Sequence, residues 1–115
     1  MERAVLVYVT FPSLAEAETV GRQLVERRLA ACVNIIPGMI SHYQWKGVVE
    51  RGEELVMIAK TRASLANELS IAVRELHSYK TPAIVVIPLE SVERSYLAWI
   101  LDSTAVRGEE ANDPA

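Results

Sequence analysis

The sequence predicts an α+β fold, with one antiparallel sheet, two long helices on one of its faces and a short helix at the C-terminal end. Three observations predict it. Segments of apolar period 2 and period 3.6 follow one another in the order β-α-β-β-α-β. The two central strands meet at a Lys46-Gly47 turn signal, as in an extended β-hairpin. The chain has 115 residues, half of them apolar, which suits one domain with a real core.

Ala4 to Thr10 reads as the first strand, rich in Val, Leu and Tyr, and Pro12 breaks it. Ser13-Leu14-Ala15-Glu16 is a capping-box pattern, with Ser13 accepting from a free backbone N–H and Glu16 reaching back to that of Ser13. A helix then runs to about Arg28, with Leu14, Ala17, Gly21, Leu24 and Val25 as its buried stripe. Arg27 and Arg28 at its C-terminus suit the helix dipole.

Leu29 to Ile36 is expected to be the second strand. It is apolar on both parities: Leu29, Ala31, Val33 and Ile35 against Ala30, Cys32 and Ile36. A strand with one wet face would alternate instead. Pro37-Gly38 bends it, and Met39 to Trp45 continues it. Lys46-Gly47 and Arg51-Gly52 are turn candidates, leaving Val48 to Glu50 ambiguous between them. Glu53 to Lys60 alternates as the third strand, and Thr61 to Leu76 has the period of a helix. Pro82 to Pro88 is the fourth strand. Ser91 is expected to cap a last helix through Leu101. The domain therefore covers residues 1–104, and the polar stretch 105–115 is expected to fray.

This order is the split βαβ, or ferredoxin-like, plan. It puts both long helices on one side of the sheet. The strands are nonetheless apolar on both sides: Val5, Val7 and Val9 against Leu6 and Tyr8, Ile84 and Val86 against Val85 and Ile87. The second face needs cover from outside the chain, and homo-oligomerisation supplies it most simply.

Composition excludes some classes. Net charge is −3, and Lys and Arg are scattered among acids, so no basic stripe points to nucleic acid. The N-terminal apolar run is too short to span a bilayer and carries no cleavage signature, which argues against a membrane. Cys32 is the single cysteine. That favours a reducing compartment, and the expected location is the cytoplasm. No P-loop, GxGxxG or HExxH occurs, and the chain does not read as an enzyme.

Several motifs agree along the whole chain: Leu29-Ala30-Ala31-Cys32-Val33-Asn34-Ile35-Ile36-Pro37-Gly38; Ser41, Tyr43, Trp45, Gly47, Glu50 and Glu54 at fixed spacing; Lys60-Thr61; His77, Tyr79 and Pro82; and Tyr96-Leu97 with Trp99. In these the sequence resembles the CutA family, the divalent-cation tolerance proteins. The resemblance implies a ferredoxin-like subunit in a tight homotrimer with strand edges paired between subunits. It also implies a link to tolerance of copper or another divalent cation. There are two departures. His-Pro-Tyr and Pro-Glu, common in the family, read His77-Ser78-Tyr79 and Pro82-Ala83 here, so an acid is missing near the site. Metal-binding members can also use a Cys late in the first strand and a second His. Val9 and Leu76 stand at those positions and cannot ligate.

His77 and Cys32 are thus the metal candidates, a borderline and a soft ligand suited to copper or zinc. Two ligands do not close a site, so a divalent cation is expected to bind weakly. The plainer readings are a small core thiol for Cys32 and a helix-terminal imidazole for His77. A Cys32–His77 dyad is conceivable, but a thiol buried mid-strand is expected to be inert. His42 is expected to be exposed on the hairpin. Tyr43, Trp45 and Trp99 either line an aromatic pocket or pack between subunits. Glu50, Glu53 and Glu54 offer hard oxygen ligands or a solvated turn. Lys60 and Lys80 can hold an anion. Glu50, Glu54, Lys60, Tyr79 and Trp45 are the cleft candidates around His77. The expected function is a homotrimeric copper-binding or other divalent-metal-binding protein of metal tolerance. The alternative is a regulatory or scaffolding trimer that takes a small anion or a partner protein in its clefts, a fold-level analogy.

Overall fold

A computed structural model describes residues 1–104, and the stretch 105–115, expected to fray, lies outside the described residues. The elements are β1 (Ala4–Phe11), α1 (Leu14–Glu26), β2 (Cys32–Trp45), β3 (Val48–Arg62), a 3₁₀ turn (Ala63–Leu65), α2 (Ala66–Leu76), β4 (Ile84–Pro88) and α3 (Arg94–Ser103). They build an antiparallel sheet in the order β2-β3-β1-β4. The α+β, ferredoxin-like expectation holds.

Ser13 caps α1 with extended backbone and accepts from the Glu16 N–H at 3.2 Å. Ala17, Val20, Gly21 and Leu24 form the buried stripe. Leu14 and Val25, expected there, are 49% and 39% exposed. At ~100° per residue they lie roughly 70° and 90° from the stripe's centre, and Val20 takes their place. Gly21 is required by close approach. A Cβ there would come within 2.8 Å of Val33 Cγ2 on β2.

The helix ends in a left-handed residue, Arg28, at φ 60°. The N–H groups of Leu29 and Ala30 both turn back to the Leu24 carbonyl. Their donors close the helix and are lost to the sheet, so β2 starts at Cys32 and not at Leu29. Pro37-Gly38 does not end that strand. It forms a bulge between Ile36 and Met39, with Gly38 at φ 86°, and pairing resumes to Trp45. Lys46 and Gly47 both have positive φ, as a two-residue hairpin loop demands.

Strand β3 is longer than its alternation suggests. Arg51-Gly52, a turn signal in the sequence, pairs across to His42 and Ser41. Thr61 and Arg62, expected in a helix, pair with Val5 and Ala4. Ladder hydrogen bonds outweigh local turn and helix preference at both ends. Helix α3 is capped by Glu93, whose carboxylate accepts from the Ser95 and Tyr96 N–H groups; Ser91 lies outside it.

Register sorts the strand residues by face. Val5, Val7, Val9, Phe11, Met57 and Ala59 pack under α1 and α2 in one core. On the other face α3 covers only one end, where Ile100 meets Ala4 and Ala31. Arg62 holds that end, donating to Thr104 Oγ1, the Leu101 carbonyl and Glu2. Beyond α3 the second face stays open: Ile36, Val85 and Ile87 are 50%, 49% and 40% exposed.

Candidate functional site

His77 is the C-cap of α2, and its side chain is fully buried. Its ring stacks on Phe11 with centroids 4.4 Å apart. Nε2 lies 2.7 Å from the Thr10 carbonyl, and Nδ1 accepts from the Tyr79 N–H at 3.0 Å. A carbonyl only accepts, so the ring proton sits on Nε2. Both nitrogens are therefore committed within the chain. The Glu16 carboxylate accepts from the Ser78 N–H at 3.0 Å and stands 3.5 Å from Nδ1. The Tyr79 hydroxyl donates to Glu54 at 3.1 Å. Burial first, and then the Glu54 carboxylate, push that hydroxyl's pKa up to about 12. Four side chains from α1, β3 and the segment after α2 thus gather at the base of the hairpin: Glu16, Glu54, His77 and Tyr79.

Cys32 is not among them. It pairs with Lys60, whereas Thr10, the partner of His77, pairs with Val56 four residues along β3. That separation is ~13 Å along the strand, and the Cys32 side chain is on the open face. Within one subunit the expected Cys32–His77 pair is not formed. Cys32 is also half-buried and not a core thiol. Its sulfur lies 3.9 Å from the Tyr96 hydroxyl, which accepts from Lys60 Nζ at 3.0 Å. The hydrogen bond to Tyr96 raises the Lys60 pKa above its ordinary value. Trp99 stacks on Tyr96, with centroids 5.5 Å apart.

The expected cleft therefore splits. Glu54 and Tyr79 join His77, while Lys60 belongs to the second cluster at α3. Glu50 faces Tyr43 on the exposed hairpin, and Trp45 flanks the turn with Lys46 Nζ 6.0 Å from its ring. The aromatic trio separates as well: Trp99 stacks in α3, while Tyr43 lies against Gly52 on the hairpin. His42 is exposed. Among the described residues no three His, Cys, Asp or Glu side chains gather as a metal ion needs. Sequence reasoning missed Glu16 as a site residue. Its capping pattern predicts a reach back to Ser13, and the carboxylate crosses instead to the end of α2. No local signal marks that crossing. Tyr96 was legible only through its place beside Trp99 in the shared motif.

Fold and clusters define a ferredoxin-like α+β domain with a long hairpin, whose polar residues gather at the hairpin base and beside the last helix. The family model described as CutA1 divalent ion tolerance protein matches residues 5–103. The chain belongs to that family. It is 43% identical over 104 residues to the divalent-cation tolerance protein CutA of Thermus thermophilus, covering 90% of this chain and 99% of the relative. The structure of the divalent ion tolerance protein CutA1 from Ehrlichia chaffeensis superposes with a TM-score of 0.88 at 30% identity, covering 92% of this chain and 99% of the other. The periplasmic divalent cation tolerance protein CutA from Archaeoglobus fulgidus gives 0.85 at 42% identity, covering 88% and 98%.

Proposed function

We propose that the chain works as a homotrimer in divalent-cation tolerance, as a binding protein and not an enzyme, and that copper is one cation it meets. The observation that carries this is the open sheet face. Ile36, Val85 and Ile87 form an apolar surface that none of the described residues covers, and the hairpin adds exposed Trp45, Val48 and Val49. A surface of this kind marks an interface. Three copies of one subunit close it by symmetry, and the family resemblance favours that number.

The hairpin base is the place we assign to the cation. Glu16 and Glu54 supply carboxylates there. His77 Nδ1 becomes a ligand only by giving up the Tyr79 N–H. Competition with that hydrogen bond makes the contact weak and readily exchanged, and more than one subunit must contribute for a fuller set. The single half-buried Cys32 supports a reducing compartment, and we place the protein in the cytoplasm.

Titration calorimetry with copper on the wild type, Glu16→Gln and His77→Ala tests the assignment. We expect weak saturable binding, reduced by about tenfold or more in each variant. Binding that is unchanged in both places the cation elsewhere.

A further inference from the structure

A cleft of about 350 Å³ lies between α2 and the segment that leads into β4. It shares no residue with the cluster at the hairpin base or with the one beside α3. Its volume is that of a small-molecule site. Asn67, Ser70, Ile71 and Arg74 form the helix wall, at a spacing that sets them on one face. Thr81, Pro82 and Ile84 form the opposite wall.

The lining is amphipathic and carries one charge. Ile71 is 51% exposed on the outer flank of the helix, and Pro82 and Ile84 extend the apolar surface. Arg74 makes no hydrogen bond or ion pair among the described residues, not even with the last carbonyls of its own helix. Its neighbours three and four positions away are Ser70, Ile71, His77 and Ser78, none of them acidic. Glu75 and Glu68 lie roughly 100° and 120° around the helix from it. The Ser70 hydroxyl already donates to the Ala66 carbonyl, whereas the Asn67 amide and Thr81 hydroxyl have no partner among the described residues. Donors and an apolar wall thus share one small-molecule-sized space. A guanidinium fork matches the two oxygens of a carboxylate, and one cation balances one negative charge. We propose that this cleft binds a small organic carboxylate, its oxygens on Arg74 and its hydrocarbon body against Ile71, Pro82 and Ile84.

Saturation-transfer NMR on the full chain tests it, with benzoate as the probe and benzamide as its neutral counterpart, at constant pH and ionic strength. Benzoate should saturate in the millimolar range, and benzamide should bind at least about tenfold more weakly. Arg74→Gln, an exposed substitution, should weaken benzoate by about tenfold and leave benzamide unchanged. Ile71→Ala should weaken benzoate by about fivefold. No saturation by about 50 mM overturns the site. So does equal binding of benzoate and benzamide, which reports unspecific apolar contact. Loss in Arg74→Gln with no effect of Ile71→Ala leaves a bare surface charge and also overturns it. The full chain with Glu109→Gln, Glu110→Gln and Asp113→Asn should bind benzoate as the wild type does. Binding about tenfold tighter in that variant makes the chain's own carboxylates the occupant and overturns the free ligand.

Discussion

On the helix side of the sheet, Val7, Val9, Phe11, Met57 and Ala59 are wholly buried under α1 and α2. On the other side, Ile36, Val85 and Ile87 remain 40–50% exposed although they are as apolar. One face is closed by the chain's own helices. Among the described residues, the other is closed only where α3 reaches it, at Ala4, Ala31 and Ile100. Apolar residues on both parities thus serve two different faces, one buried within the subunit and one that the described residues leave open. The candidate sites follow the same division. The Glu16–His77–Tyr79–Glu54 cluster is anchored to the closed core through Phe11, while Cys32, Lys60 and Tyr96 lie at the edge of the open face.

The largest expected effect lies on the closed face. Phe11 is fully buried and stacks on His77. Phe11→Ala should cost about 3–5 kcal/mol in denaturant unfolding, with no dependence on protein concentration beyond that of the wild type. A loss below about 1 kcal/mol would show that His77 and the helices do not rely on that ring.

A smaller effect tests the hairpin base. The Tyr79 hydroxyl is held protonated, with its pKa pushed up to about 12 by burial and then by Glu54. The unfolded chain releases this proton near ~10, so above that pH the folded state binds more protons than the unfolded state. The hydroxyl's contribution is present below pH ~10 and is lost as pH rises through the folded value. Tyr79→Phe should flatten this alkaline part of the stability curve and leave the neutral part nearly unchanged, because Tyr79 is 37% exposed. An identical alkaline slope in wild type and variant would remove Tyr79 from the account.

Much of this was legible beforehand, and the misses have physical causes. The order of elements and the uncovered second face followed from periodicity alone. Strand limits did not. Leu29 and Ala30 look like strand because they are apolar, but their N–H groups close α1 on the Leu24 carbonyl. Arg51-Gly52 looks like a turn until a partner strand pairs with it. Of the candidate residues, the sequence motifs group Glu54, His77 and Tyr79, and the structure places these three side by side. Cys32 and Lys60 were grouped with His77 because motif order carries no information about which face a residue takes. Glu16 was hidden because its capping pattern explained it locally, and only the fold shows its carboxylate crossing to Ser78.

Sedimentation velocity at micromolar concentration, on the wild type beside Ile87→Asp, tests the central claim most directly. Ile87 is 40% exposed in the single subunit, so a charge there costs a lone folded chain little. If copies of the chain cover the open face, the same carboxylate is buried without a partner. We predict a wild type with the mass of a trimer, and a folded Ile87→Asp protein of lower mass. A wild type that sediments as a stable folded monomer, indistinguishable from Ile87→Asp, would contradict it.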